Sequence, residues 1–470
     1  MPDNRPGKPK ILMLLSDEHN AAIAGFSGDP LVRTPNLDRL AEGGAVFENA
    51  YTPSPICVPA RQCILAGQYP ATCGCEGWLP LPEGHMTYPR WFAQYGYATA
   101  AFGKVHLVGP DQLQGFESRP VGDVGFRTGR KPVPVADRPD PLDCGVRLKW
   151  SDEKEVRKAG LGDHPDATDR LTVAGFESYL DTHLGGIWYD RHDRELPRLL
   201  YVGFHNPHYP YQTTEERLRY YLPRVTLPAN PEPFDHPFLG RSPWLPPGAE
   251  RDRPIGEREL LRARAVYYAK VETMDERVGQ VLDALRARGE DPDEWIIVYT
   301  SDHGEMTGEH GIWEKQKFFE QSVRVPLIIR WPRRIRAARI PTNVSLCDLF
   351  ATLCDLAGID APDGLDSRSL RPLMDDSVPS ASADVRVPPD DAFSFFLQQG
   401  WRNVMLKRGS LKYQTYRHES TGEPLPDVLF DLAADPGETR NLVDDPTYRE
   451  AVMDLRDRVR AAGYAETVPR

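Results

Sequence analysis

Nothing in these 470 residues approaches the roughly 20 consecutive apolar positions that span a bilayer, so the sequence predicts no transmembrane helix. An excess of basic charge is also missing. The 57 Lys and Arg are outnumbered by 69 Asp and Glu, giving a net charge of −12, which argues against a general binder of nucleic acid or anionic membrane. An anionic ligand would therefore need a locally positive pocket. No internal repeat is present, which excludes solenoids and propellers. The seven cysteines (Cys57, Cys63, Cys73, Cys75, Cys144, Cys347 and Cys354) form neither a metal knuckle nor a CxxC pair. A reducing compartment suits such a set. The N-terminus has no secretory pattern: the apolar run Ile11–Leu15 is too short and is followed at once by Asp17, Glu18 and His19. It reads as a buried strand, and the location expected is cytoplasmic.

What the chain does have is a recurring device, a short apolar run that stops abruptly at ionisable residues. Ile11–Leu15 runs into Asp17, Glu18 and His19; Tyr97–Phe102 runs into Lys104 and His106. Leu199–Phe204 runs into His205 and His208, and Trp295–Thr300 into Asp302 and His303. Helical patterns lie between them. One is Thr34–Glu42, with Thr34 at the N-cap and Pro35 at the first helical position. Another is the amphipathic stretch from Glu257 to Arg288. Strands alternating with helices imply an α/β fold with a mostly parallel sheet, whose ligands sit beyond the carboxyl ends of the strands. Two Pro-rich excursions, residues 109–169 and 221–254, are long enough to be lids or substrate-selecting loops. After about residue 375 the pattern changes to short strands and a final helix. The division expected is a catalytic α/β domain over 1–375 and a smaller α+β domain over 376–470.

The segment Cys57-Val58-Pro59-Ala60-Arg61 reads as the start of a short helix, with Pro59 in its first turn and Gly67 as its stop. Cys57 would then sit at a helix N-terminus, where exposed amides and the dipole favour an anion. This segment resembles the Cys-x-Pro-Ser/Ala-Arg motif of the formylglycine-dependent sulfatases, a family of the alkaline-phosphatase-like superfamily that includes arylsulfatases, choline-sulfatases and phosphonate monoester hydrolases. The resemblance extends over most of the chain. Thr34–Leu40, Asp302-His303-Gly304-Glu305, Gly308–Gly311, Leu429–Leu432 and Asp435–Glu438 match further family motifs in the same order.

The resemblance implies an α/β/α sandwich and a sulfuric ester hydrolase whose nucleophile is the hydrate of formylglycine, made by a separate formylglycine-generating enzyme from Cys57. Attack on sulfur would release the alcohol, and the second hydroxyl of the hydrate would then expel sulfate. One divalent metal is implied, held by Asp17, Glu18, residue 57, Asp302 and His303, with Ca²⁺ as the ion and Mn²⁺ as the alternative. Position 18 is Glu where many members have Asp, and position 303 is His where many have Asn. Hard oxygen donors suit Ca²⁺, Mg²⁺ or Mn²⁺, and the nitrogen of His303 favours Mn²⁺. Arg61 would bond near residue 57, while Lys104 and Lys315 would hold sulfate as point charges; Lys317 competes with Lys315. His106 would take a proton from residue 57 and His208 would protonate the leaving group, with His205 as the competing choice.

The partners expected are a small-molecule or saccharide sulfate ester and the maturation enzyme, with no nucleic acid and no membrane; a homo-oligomer stays open. Tyr209, Tyr211, Trp78 and Trp313 could stack on a ring of the substrate. Two rivals remain. The same nucleophile serves phosphonate monoester and phosphodiester hydrolases. A non-catalytic binding protein of the same fold would be expected to have lost a ligand or the nucleophile.

Overall fold

The computed structural model describes residues 8–123, 156–162, 164–184, 196–231, 255–375, 390–398 and 400–464. The greater part of both Pro-rich excursions, and Cys144, lie outside the described residues.

The main sheet is built from β1 (Lys10–Asp17), β2 (Ala45–Tyr51), β3 (Ala98–Gly103), β4 (Ser118–Val121), β5 (Arg198–Pro207), β6 (Trp295–Ser301), β7 (Leu327–Arg330) and β8 (Ala338–Ser345). Its spatial order is β8-β2-β7-β6-β1-β5-β3-β4. Neighbours along this path are parallel except β7, which runs antiparallel to both β2 and β6; a ninth strand, the short Arg324–Val325, pairs antiparallel with β2 off the path. The apolar runs read from the sequence are the central strands, buried on both faces as parallel strands are.

Side chains alternate across the sheet, and each face has its own core. Leu12 and Leu14 of β1 point toward α1 (Pro35–Glu42), α3 (His164–Leu184) and α4 (Glu257–Ala287). Ile11, Met13 and Leu15 point the other way, toward α2 (Cys57–Ala66) and α5 (Leu349–Ala357). This period-2 division of one strand between two helical layers makes the sandwich. Thr34 stands at the N-cap of α1 but its side chain caps nothing. Its hydroxyl accepts from the Gly25 amide (2.8 Å) and donates to Asp38 (3.0 Å). The first amides of α1, those of Asn36 and Leu37, instead donate to the Asp275 carboxylate of α4.

The C-terminal sheet is a simple antiparallel meander of β9 (Asp391–Gln398), β10 (Trp401–Arg408), β11 (Leu411–His418) and β12 (Val428–Asp431). One face packs under α6 (Arg449–Val459) through Leu406, Tyr413, Leu429, Val452 and Leu455. The opposite face shares a core with the main domain, where Phe396, Met405 and Phe430 meet Met306, Phe318, Phe319 and Val323. Buried ion pairs reinforce this junction. Lys412 Nζ lies 2.6 Å from Glu438 and 2.7 Å from Glu320, and donates to the Phe318 carbonyl. No helix among the described residues is long and apolar enough to cross a membrane.

Candidate active site

The strand register sets the floor of the site. Ser16 lies beside Ser301, Asp17 beside Pro207, and Gly103 beside Gly203, so β1, β6, β5 and β3 end at a common level. The Gly103–Gly203 contact explains how β3 and β5 can turn so tightly here. A Cβ on Gly203 would lie 1.9 Å from the Lys104 carbonyl oxygen, and one on Gly103 would lie 2.3 Å from that of Gly203. With both glycines in place the Lys104 amide donates to Gly203 (2.9 Å), and Lys104 and His106 turn in over the sheet. His106 adopts a left-handed backbone (φ 59°), fixed by the Asp123 carboxylate, which accepts from the amides of Val105 and His106.

On the other side of the floor, Cys57 is the first residue of α2, and Gly67 ends the helix in a left-handed conformation. Cys57 Sγ lies 3.1 Å from His303 Nε2 and 3.8 Å from Asp17 Oδ1. Donor atoms of Asp17, Cys57, Asp302 and His303 all fall within 4.8 Å of one another, and every one of these residues is buried. The Nδ1 of His303 faces the Gly304 carbonyl at 3.0 Å, so an Nδ1–H there directs the Nε2 lone pair at the cluster. A second grouping, Asp17, Glu18 and His208, adjoins the first.

Arg61 binds the cluster together. Its Nε donates to Asp302 (2.7 Å) and its Nη2 to Asp17 (2.9 Å). The remaining donors reach the carbonyls of Lys104 and Ser16 and the Tyr201 hydroxyl. All five guanidinium N–H groups are thereby used on protein acceptors. No guanidinium N–H of Arg61 is left over for a ligand, and the other two cations of the cluster are Lys104 and Lys315. Lys104 pairs with Asp17. Lys315 Nζ lies 2.9 Å from both Glu18 Oε2 and His208 Nε2, and 4.8 Å from the centre of the Tyr209 ring. Of each competing pair, the structure brings Lys315 and His208 into the cluster. His205 turns its Nε2 to the Tyr209 carbonyl instead.

Burial and charge set the protonation states. Burial would raise the Asp17 carboxyl, yet Lys104, His208, Arg61 and His303 together hold it well below the usual carboxylate range. Burial, with Asp17 adding to it, pushes the Cys57 thiol up to about 12. An unmodified Cys57 is thus a neutral thiol and a poor nucleophile at neutral pH. Burial drives His208 and His106 well below their ordinary value, helped by Lys315 and Lys104 for the first and by Lys104 for the second. Burial would lower Lys315, but Glu18, Cys57, Tyr209 and Glu314 together hold it well above the usual ammonium range.

These residues suit a divalent cation. Four buried carboxyl groups (Asp17, Glu18, Asp302 and the adjoining Glu305) meet three cations (Arg61, Lys104 and Lys315), and burial, with Glu305 beside it, holds the Glu18 carboxyl well above the usual carboxylate range despite Lys315. A divalent ion added to this set leaves the site positive, as an anionic substrate requires in a chain of net charge −12. Asp17, Asp302, His303 and residue 57 would hold it, with Glu18 adjoining.

Comparison with known proteins gives this geometry its context. The sulfatase family model matches residues 9–359, and the model described as N-sulphoglucosamine sulphohydrolase, C-terminal, matches residues 308–463. The chain belongs to the sulfatase family. This sulfatase is 31% identical over 448 residues to a choline-sulfatase of Rhizobium meliloti (strain 1021), covering 94% of this chain and 83% of that protein. Its fold is similar to that of the phosphonate monoester hydrolase of Agrobacterium radiobacter, with TM-score 0.75, 22% identity and coverage of 97% and 96% of the two chains. It is also similar to a protein solved in complex with its substrate D-glucosamine-2-N,6-O-disulfate, with TM-score 0.74, 20% identity and coverage of 97% and 98%. The architecture is the alkaline-phosphatase-like one. The chain is a sulfuric ester hydrolase, and its family implies a divalent metal.

Several residues that shape the site escaped the sequence reading. Asp169 of α3 accepts from the amides of His205 and Asn206, and Lys270 of α4 donates to the Asn206 side chain (2.8 Å), which together fix the turn bearing His208. Glu305 lies within a quoted motif and does a similar job for Lys315: it accepts from the Glu314 amide (2.7 Å) and the Tyr211 hydroxyl (3.0 Å). A charged residue in the middle of an apolar helical stripe, as Lys270 is, was the signal available.

Proposed function

We propose that this sulfatase hydrolyses a sulfate monoester carried on a saccharide or a small alcohol, with Cys57 oxidised to formylglycine as its nucleophile and Ca²⁺ as its metal, Mn²⁺ being the alternative. The observation that carries this reading is the meeting of Cys57, at the N-terminus of a buried helix, with Asp17, Asp302 and His303 within 4.8 Å. The substrate class is supported by the relative solved with a sulfated glucosamine. When bound, the ion would polarise the sulfate oxygens and favour ionisation of the nucleophilic hydroxyl.

The remaining work falls to the chain's own residues. Lys104, paired with Asp17, and Lys315, paired with Glu18, would neutralise the sulfate oxygens. His106, its ring edge-on to Trp78 with centroids 5.1 Å apart, would take a proton from residue 57. On the leaving-group side, His208 Nδ1 faces the Tyr209 carbonyl at 2.6 Å, and its Nε2 accepts from Lys315. The proton destined for the leaving oxygen therefore rests on Lys315 and reaches it directly or through His208.

Three further readings belong to this proposal. Maturation would need a separate oxidising enzyme. Besides Cys57, the five other cysteines among the described residues are free buried thiols, which supports a reducing, cytoplasmic setting. The chain divides into 1–375 and 376–470, because the main sheet ends at Ser345 and the second begins at Asp391.

Peptide mass spectrometry of protein from its native host tests the nucleophile: conversion of Cys57 to the aldehyde lowers the peptide mass by about 18 Da, and a quantitative free thiol there would end the proposal. The second reading is phosphonate monoester or phosphodiester hydrolysis, favoured by the Asp302–His303 pair and by the similarity to phosphonate monoester hydrolase. Turnover of an aryl sulfate against an aryl phosphonate and a phosphodiester, with Ca²⁺ and Mn²⁺ added separately, decides between them.

A further inference from the structure

The two histidines given proton-transfer work both stand on turns that need outside support. His106 has a left-handed backbone (φ 59°), a conformation that a residue with a side chain keeps only where its surroundings enforce it. His208 ends the turn His205–His208, closed by a bond from the His208 amide to the His205 carbonyl (3.0 Å). Buried turn amides that meet no strand partner need some other acceptor.

Two aspartates supply it, and they do so in the same way. Asp169 of α3 accepts from two consecutive amides, those of His205 (2.6 Å) and Asn206 (3.0 Å). Asp123, two residues beyond β4, accepts from two consecutive amides, those of Val105 (2.7 Å) and His106 (3.0 Å). Both aspartates are buried, and neither is among the residues whose donor atoms cluster around Cys57 or His208. Each is tied down in turn. Asp169 Oδ2 also accepts from the Asn206 side-chain amide (2.6 Å), whose carbonyl accepts from Lys270 of α4 (2.8 Å). Asp123 Oδ2 pairs with Arg119 of β4 (2.6 Å).

The two clamps hold opposite ends of one proton path. Bond formation from residue 57 to sulfur releases a proton, and His106 would accept it. The alcohol oxygen, as its bond to sulfur breaks, would take a proton from Lys315 directly or through His208, whose Nε2 lies 2.9 Å from Lys315 Nζ.

We propose that Asp169 and Asp123 are positioning residues for separate proton transfers. Asp169, with Asn206 and Lys270, sets His208 for the leaving alcohol; Asp123, with Arg119, sets His106 for residue 57. The inference rests on the roles proposed above for the two histidines. Misplacing His208 penalises esters whose leaving oxygen needs a proton and spares 4-nitrophenyl sulfate, whereas misplacing His106 penalises every ester alike. A merely structural role for Asp169 would lower turnover of both esters together.

The test uses the full chain with Asp169→Ala, Lys270→Met, Asp123→Ala and Asp123→Asn, beside His208→Ala and His106→Ala. A misplacement of about 1 Å can cost about 10²-fold, so Asp169→Ala should lower kcat/KM for a sugar sulfate about tenfold or more. For 4-nitrophenyl sulfate its loss should stay below about threefold. Lys270→Met leaves the backbone bonds of the turn in place; it should show the same preference at smaller size, and it replaces Asp169→Ala should that variant not fold. Asp123→Ala should lower both esters about tenfold or more. Asp123→Asn keeps the oxygen that meets both amides and should stay within about threefold of the parent. In ¹⁵N-histidine-labelled Cys57→Ala protein, where nothing turns over, the His208 ring signals should move in Asp169→Ala and Lys270→Met, and those of His106 in Asp123→Ala, each without the other. Equal losses on both esters in Asp169→Ala and Lys270→Met while His208→Ala discriminates, or Asp123→Asn as impaired as Asp123→Ala, overturns the proposal. So do ring signals that move together in every variant. Should His208→Ala itself fail to discriminate, the leaving-group reading of His208 falls; separate movement of the two ring signals then upholds the pairing of each aspartate with its histidine, and common movement overturns it.

Discussion

The Arg61 guanidinium joins Asp17 to Asp302, two carboxylates from different strands, with N···O distances of 2.9 and 2.7 Å. All three side chains are buried. Replacing Arg61 by Met strands two buried carboxylates, at about 3–5 kcal/mol of stability in the metal-free protein. Because both carboxylates belong to the candidate ion site, metal content by mass spectrometry should fall together with kcat/KM, the latter by about 10²-fold or more through misplacement alone. Arg61→Lys should rescue little, since one ammonium cannot span both acceptors. Near-wild-type turnover in Arg61→Met would refute the positioning role.

The Lys315–His208 pair predicts a dependence on leaving group. His208→Ala and Lys315→Ala should each lower kcat/KM on an alkyl or sugar sulfate by about 10²–10³-fold, within the usual range for general acid catalysis. On 4-nitrophenyl sulfate, whose leaving group needs no proton, the loss from His208→Ala should be about tenfold smaller. Equal losses on both esters would mean that His208 serves only to hold the sulfate.

Among the described residues whose donor atoms cluster with Cys57 Sγ, His303 supplies the nitrogen. His303→Asn replaces it with a hard oxygen donor and should move metal preference from Mn²⁺ toward Ca²⁺. Competition dialysis against both ions reads the change directly, and an unaltered ratio would show that residue 303 does not contact the metal.

Much of the site was legible in the sequence because strand ends are read by period: an apolar run that stops marks both the sheet's edge and the residues it presents. The strand ends presented Asp17, Lys104, Asp302 and both His205 and His208, the choice of His208 resting on the family resemblance, and the structure gathers Asp17, Lys104, His208 and Asp302. The C-terminal meander was legible for the same reason. What periodicity does not encode is pairing across distance. That Asp275, not Thr34, serves the first amides of α1 depends on how α4 lies against it. That Arg61 uses every donor on protein acceptors depends on four separate strands. That Arg402 of β10 lies opposite Arg417 of β11 needs the register of a hairpin, which alternating side chains alone leave undetermined.

Lys270 gives a pH-dependent stability. Burial lowers it from 10.5 to about 7, against the pull of Asp169. The unfolded chain therefore binds more protons between those values, and this group's contribution to stability rises as pH increases through that window. Relative to Lys270→Met, the parent should gain about 2 kcal/mol between pH 7.5 and 9, at about 1.4 kcal/mol per unit. Denaturant unfolding at several pH values measures this. Parallel pH profiles for parent and variant would show that Lys270 is not the group responsible.

The segment that bears Lys315 is held from behind by residues that come much later in the chain. Phe318 and Phe319 pack on Phe396 and Phe430, Gln316 accepts from Gln398 (2.6 Å), and the Glu320 amide donates to Glu438 (2.7 Å). The loop leading to Cys57 leans on the same late strands: the Phe395 amide donates to the Pro53 carbonyl (2.9 Å), and Ile56 shares the core of Phe396 and Phe430. A polypeptide interrupted by a premature stop near residue 375 would lose the brace behind Cys57 and Lys315 alike. The candidate site is thus completed last, when the ribosome has released the final strands.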